Sequence, residues 1–184
     1  PVIEYDGRAF LNTCSTEYDV ILVDAYQDIT IPFQMSSSEF FTLVKDHLKD
    51  GGILTVNLNM HNNQDGSINY WLCDTIKSVF PYVSIVDVPY STNLVLFASE
   101  QKDPAGLLSE NLENLPDGDL KTLMNRIAGS LSRYSSGNRI LTDDKAPVEV
   151  LGMRMIDSLI EEELRYYKAI FASEGLHGLL SALL

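Results

Sequence analysis

The chain has 184 residues, 45% hydrophobic and 21% charged, the balance of one folded globular domain and not of a disordered segment. Thirteen basic residues against 26 acidic ones leave a formal net charge of -13, the wrong sign for gripping a phosphate backbone, so no nucleic-acid partner is expected. The two cysteines, Cys14 and Cys73, form no C-x-x-C or C-x-x-H pattern, which excludes a disulfide framework and a zinc site from the expectations.

The first residues, PVIEY, read as the end of a strand, and Asp6-Gly7 stand where it gives way to a helix beginning near Arg8. Residues 18–24, YDVILVD, form an apolar strand that stops on Asp24; Tyr26, Gln27 and Asp28 follow, and the chain turns through Pro32. In SSSEFFTLVKDHLKDGG, Ser36 and Glu39 have capping-box spacing, Phe40, Phe41, Val44 and Leu48 share one helical face, and Gly51-Gly52 end the helix. A strand over 52–57 follows. A helix over 67–80 then carries Ile68, Leu72, Ile76 and Val79 at helical spacing until Pro81 stops it.

Strands at 82–88 and 94–98 are separated only by PYST, too short for a crossover helix, so they form an antiparallel hairpin. Helices alternating with strands and a hairpin at the end predict an α/β fold, which resembles the S-adenosylmethionine-dependent methyltransferase variant of the Rossmann-like sheet, although fold alone names no function. Residues 103–116 are polar and bounded by proline, an expected surface excursion. Leu120, Leu123, Met124, Ile127 and Leu131 mark an amphipathic helix, and Ile156, Leu159, Ile160, Leu164 and Tyr167 mark a longer one over 150–171. The apolar tail from Gly175, ending GLLSALL, could dock on this domain or on a partner chain, and docking on this domain is the commoner outcome. The organisation predicted is one domain over 1–184, with sheet and helices in 1–100 and a mostly helical extension in 101–184. No apolar run approaches the about 18 residues of a membrane span, and the start has no signal-peptide pattern, so a soluble chain is expected.

Ligands of open parallel sheets sit beyond the carboxyl ends of the strands. Asp24 occupies such an end, and Asp6 the equivalent place one strand away. A carboxylate there suits recognition and deprotonation of an amine, because it holds an ammonium and then accepts its proton. The plainer readings stay open: Asp6 as a helix cap, Asp24 as a turn residue bonded to backbone amides, Asp28 as an exposed turn acid and Tyr26 as a packing partner of Pro32.

Five ordered segments, YDGRAFL (5–11), YDVILVDAY (18–26), IPFQMSSSEFF (31–41), LKDGGILTVN (48–57) and LTDDKAPVE (141–149), resemble the carboxyl-terminal part of spermidine synthase-like aminopropyltransferases. The similarity is greatest to a bacterial branch often fused to membrane transporter-like segments. The resemblance implies transfer of an aminopropyl group from decarboxylated S-adenosylmethionine to a diamine, without a metal. It implies that Asp6 and Gly7 face the adenine and that Asp24 binds and deprotonates the attacking amine. Tyr26, Gln27, Asp28, Asp143 and Asp144 are implied on the acceptor side, with Gln27 standing where polyamine synthases of the family usually carry a second acid. The family's glycine-rich loop and ribose-holding acid are expected ahead of Pro1. The chain is thus expected to lack the first βαβ unit, to be inactive alone, to self-associate and to work in the cytoplasm. A methyltransferase using intact S-adenosylmethionine and a noncatalytic binding or dimerisation module are the competing readings.

Overall fold

A computed structural model describes residues 2–26, 31–59, 67–135 and 137–182. Helix α1 (Gly7–Thr13) leads into β1 (Tyr18–Val23), a 3-10 turn at Phe33–Met35, α2 (Ser38–Asp46), β2 (Leu48–Leu58) and α3 (Ile68–Val79). Then come β3 (Tyr82–Asp87), β4 (Leu94–Ser99), α4 (Pro104–Asn114), α5 (Asp119–Ser130), the two-residue β5 (Ser132–Arg133) and α6 (Val148–Ala182).

The sheet has the order β1-β2-β4-β3-β5. Strands β1 and β2 are parallel, and β4 lies antiparallel between β2 and β3. The hairpin predicted from the short PYST link is therefore present. Its returning strand wedges between two strands that run the same way, the arrangement expected of the methyltransferase-like sheet.

Alternation along the strands explains the layers. Leu54, Val56 and Leu58 of β2 and Leu94, Leu96 and Ala98 of β4 are fully buried on one face, where they meet Phe40, Phe41 and Val44 of α2 and Leu72 and Ile76 of α3. On the other face, Ile53 and Phe97 line an apolar cavity of 350 Å³ with Leu107 and Leu108 of α4 and Met124 and Ile127 of α5. Val20 and Leu22 of β1 share that second face and are 58% and 65% exposed, since α4 and α5 pack farther along the sheet.

Several expectations need correction. Residues 2–5 form no strand and are exposed: a strand requires a hydrogen-bonded neighbour, and among the described residues none pairs with the outer side of β1. The cap of α2 is Ser37, not Ser36, whose hydroxyl instead donates to the Phe33 carbonyl at 2.7 Å. Gly51 and Gly52 do not end that helix, which stops at Asp46 with His47 as its C-cap. They belong to the start of β2, where pairing jumps from Tyr18 with Leu48 to Val20 with Ile53, and Gly51, at φ 77°, takes the left-handed turn this bulge needs. The stretch after Asp103 is helical, because Asp103 accepts from the Ala105 amide as N-cap, Pro104 fits the first turn, and Leu107, Leu108 and Leu112 turn inward. Among the described residues of the tail, Leu176 and Leu180 are not covered by the domain. Val148 and Leu151 anchor the start of α6, whereas Ile160, Leu164, Leu176 and Leu180 are each at least 50% exposed.

Candidate active site

The register places the site. Val23 of β1 pairs with Val56 of β2, so the next residues, Asp24 and Asn57, emerge side by side at the carboxyl ends of two parallel strands. Asn57 Nδ2 donates to Asp24 Oδ1 at 2.9 Å. Its own Oδ1 accepts from Asn93 Nδ2 at 3.2 Å, at the start of the antiparallel β4. An exposed carboxylate is thus aimed by a chain of amides across three strands, with Oδ1 already engaged by a donor. Asp24 lies at the end of an edge strand; among the described residues no strand on its far side makes a reversal of strand order.

Tyr26 is half-buried, and its hydroxyl accepts from the Asn59 amide at 2.6 Å. Burial pushes that hydroxyl up to about 12, with the Asn59 amide opposing and the nearby Asp24 carboxylate adding to the rise. Tyr26 therefore stays protonated at neutral pH and ties the loop after β1 to the end of β2. Asn69 of α3 donates to the Asn59 carbonyl at 3.1 Å, fixing the same strand end from the helix side. Gln27 and Asp28 lie outside the described residues.

Asp6 is the N-cap of α1, its Oδ1 accepting from the Ala9 amide at 2.8 Å. The adjacent Gly7 sits against Met35, whose methyl would be 3.4 Å from an added Cβ. Gly7 and Met35 also border an open apolar cleft of 310 Å³ along the free edge of β1, with Phe10, Tyr18, Leu22 and Phe40. That cleft contains no carboxylate and does not reach Asp24, so it is no place for an ammonium.

Asp143 is elsewhere engaged. Arg8 donates to both of its oxygens, at 2.7 and 2.6 Å, and the Ser37 hydroxyl donates to Oδ1 at 2.5 Å. The Arg8 and Ser37 hydrogen bonds hold the Asp143 carboxyl at about 2, well below the usual carboxylate range. Asp143 and Asp144 form the tip of a small turn closed by bonds between Thr142 and Lys145. Asp144 is exposed there. The structure joins Asp24 to Asn57 and Tyr26 to Asn59 at one end of the sheet, and Asp143 to Arg8 beside Asp6 at the start of α1.

Sequence reading passed over Arg8, Asn57 and Asn93. Asn57 carried a signal of the same kind as Asp24, a polar side chain closing an apolar strand, but its meaning depends on which strand lies alongside. Among the described residues, no group of three or more His, Cys, Asp and Glu is placed to hold a metal ion.

Residues 2–110 match the model of the spermine/spermidine synthase domain. A probable polyamine aminopropyl transferase of Bifidobacterium longum is 48% identical over 199 aligned positions, taking in 99% of this chain and 45% of that protein. A polyamine aminopropyltransferase of Nitrosomonas europaea is 24% identical over 112 residues, 59% of this chain and 34% of the relative. The chain thus spans less than half the length of either curated relative. Human methyltransferase-like protein 13, solved in complex with SAH, shares the fold at a TM-score of 0.52 and 21% identity, over 73% of this chain and 62% of that one. With the domain match extending over more than half of its residues, the chain belongs to the spermine/spermidine synthase family.

Proposed function

We propose that the protein carrying this sequence transfers an aminopropyl group from decarboxylated S-adenosylmethionine to a diamine, and that these residues supply the amine side of the site. The observation that carries the reading is Asp24, an exposed carboxylate at the carboxyl end of β1, oriented by Asn57 and, through it, by Asn93. Family membership and the 48% identical relative support the reaction class.

In this reading a protonated diamine is drawn to Asp24 and gives up a proton, leaving a nitrogen lone pair. That pair forms a new bond to the methylene carbon next to the sulfonium. The carbon–sulfur bond breaks, its electrons neutralise the sulfur, and methylthioadenosine leaves. The nitrogen that results is a secondary ammonium that keeps its two protons, and Asp24 passes the one proton it took to solvent, so that one proton is released per turnover. Most of the acceleration comes from holding nitrogen, carbon and sulfur in line, with proton removal by Asp24 adding to it. Asp6 and Gly7 contribute to the nucleoside side, and Tyr26 sets the shape of the loop that borders the amine.

The test is turnover by the protein at its full natural length, supplied with decarboxylated S-adenosylmethionine and a panel of diamines, beside Asp24→Asn. Asparagine keeps an oxygen for the Asn57 amide but accepts no proton, so product formation is expected to fall about a hundredfold or more with the fold intact. Methyl transfer from intact S-adenosylmethionine without aminopropyl transfer, or full activity in Asp24→Asn, overturns the proposal.

A further inference from the structure

We propose that Arg8 and Asp143 are a pair of positioning residues that set the nucleoside side of the site, so that Asp143 acts through α1 and does not itself bind the amine. This rests on the aminopropyl-transfer reading, in which Asp6 and Gly7 face the nucleoside.

The geometry argues against an amine at Asp143. Its two oxygens receive three donors, two from the Arg8 fork and one from Ser37. Although the Asp143 side chain is 42% exposed, the bidentate guanidinium answers its charge, and the three donors take most of the about four acceptor sites of a carboxylate, which leaves little attraction for an ammonium. The same contacts join three parts of the chain: the first turn of α1, the N-cap of α2 and the turn at 142–145. Arg8 also donates to the Gln34 carbonyl at 3.0 Å, and the Asp143 amide donates to Glu39 Oε2 at 3.1 Å, so both partners are fixed from a second side. Leu141, fully buried, anchors the turn, its carbonyl accepting from the Ser38 amide at 2.8 Å and its amide donating to Thr75 Oγ1 at 2.9 Å.

Helix α1 needs such a tie. At seven residues it is too short to persist by its own hydrogen bonds, so its direction is set by what it packs on. Leu11 is buried and holds the second half of the helix. At the first half, the exposed Asp6 and Gly7 sit within two residues of Arg8, whose bonds to Asp143 span 135 positions of sequence. Breaking the pair frees that turn to shift while Leu11 keeps the helix in place. Affinity for the nucleoside is then lost without a matching effect on the amine.

The experiment measures, in the protein at its full natural length, the Kd of methylthioadenosine and the separate KM values for decarboxylated S-adenosylmethionine and for the best diamine, in wild type, Arg8→Met, Asp143→Asn and Arg8→Lys. Loss of one charge-assisted pair predicts about tenfold weaker nucleoside binding in the first two variants, with the diamine KM within about twofold of wild type. Arg8→Lys keeps the charge but not the fork, folds under milder disturbance and falls between wild type and Arg8→Met. A diamine KM that rises while nucleoside affinity holds returns Asp143 to the acceptor side and overturns the inference, as does an unchanged set of constants. Either result leaves the aminopropyl-transfer reading standing. Wild-type protein that binds no methylthioadenosine and forms no product removes that reading, and the inference with it.

Discussion

Asp74 on α3 is the buried charge on which the path from β5 to α6 depends, and removing it tests that dependence. Its side chain is 0% exposed. Oδ1 accepts from the Tyr134 hydroxyl at 2.6 Å and the Gly137 amide at 2.7 Å, and Oδ2 from the Arg139 amide at 3.3 Å and Nε at 3.0 Å. Arg139 also stacks over Tyr70, 5.5 Å from the ring centre. Asp74→Ala strands these donors, and breaking a buried pair from one side costs about 3–5 kcal/mol. The lower end applies because the Arg139 side chain is 28% exposed and recovers some hydration. Asp74→Asn keeps an acceptor for Tyr134 and Gly137 but turns its amide toward two Arg139 donors, for a loss of about 2–3 kcal/mol. Set against a typical total of about 5–15 kcal/mol, either change is large. Urea unfolding followed by circular dichroism measures it, with the slope unchanged and the midpoint lowered. Gly137→Ala attacks the same contact from the other side, since an added Cβ would run into the Asp74 carboxylate. If Asp74→Ala stays within about 1 kcal/mol of wild type, the segment is held by its apolar residues and the argument from the buried carboxylate is wrong.

His47, the C-cap of α2, directs Nε2 to the Cys14 carbonyl at 3.0 Å and Nδ1 to the Leu43 carbonyl at 2.8 Å, and these two acceptors raise its pKa. Only the imidazolium donates to both, so its stabilisation is complete below the unfolded value of about 6.5 and fades as pH rises through the higher folded value. Thermal unfolding in buffers spanning that window is expected to show stability declining with pH, and a His47→Gln variant with the same decline would show that another group is responsible. Tyr90, in the β3–β4 turn, has φ 61° and a fully exposed ring. Tyr90→Gly is therefore expected to gain about 0.5–1 kcal/mol in urea unfolding, and a loss of stability would mean the ring makes contacts that matter.

Strands β1 to β4 were readable because each carries its own pattern, and the hairpin because four residues leave no room for a helix, whereas the two-residue β5 has no pattern of its own and follows from its pairing with β3. What sequence misjudged was local structure decided by neighbours. PVIEY has strand chemistry, but among the described residues no strand offers it hydrogen bonds. Three consecutive serines offer three possible caps, and the choice of Ser37 follows from Leu141 and Asp143 packing there from more than 100 positions away. The segment after Asp103 reads as a loop by composition, yet the sheet face formed by Ile53 and Phe97 gives its leucines something to bury against, and burial makes the helix.

The site divides along the same line. Asp24 stood out because a charge at the end of an apolar strand is conspicuous on its own. Asn57 matters only once Val23 is known to pair with Val56, and Asn93 only once β4 is known to return beside β2. Asp143 and Asp144 were read as a pair because they are adjacent, but a tight turn gives its two tip residues different surroundings. Both are exposed, but Asp143 is bonded to Arg8 and Ser37, whereas no such ion pair holds Asp144 among the described residues. Adjacent acids in one motif therefore need not share a role. An acid whose charge is not already answered by a guanidinium is better placed to attract a cation, and within the proposed reaction that distinction argues for Asp24 over Asp143 as the partner of the amine.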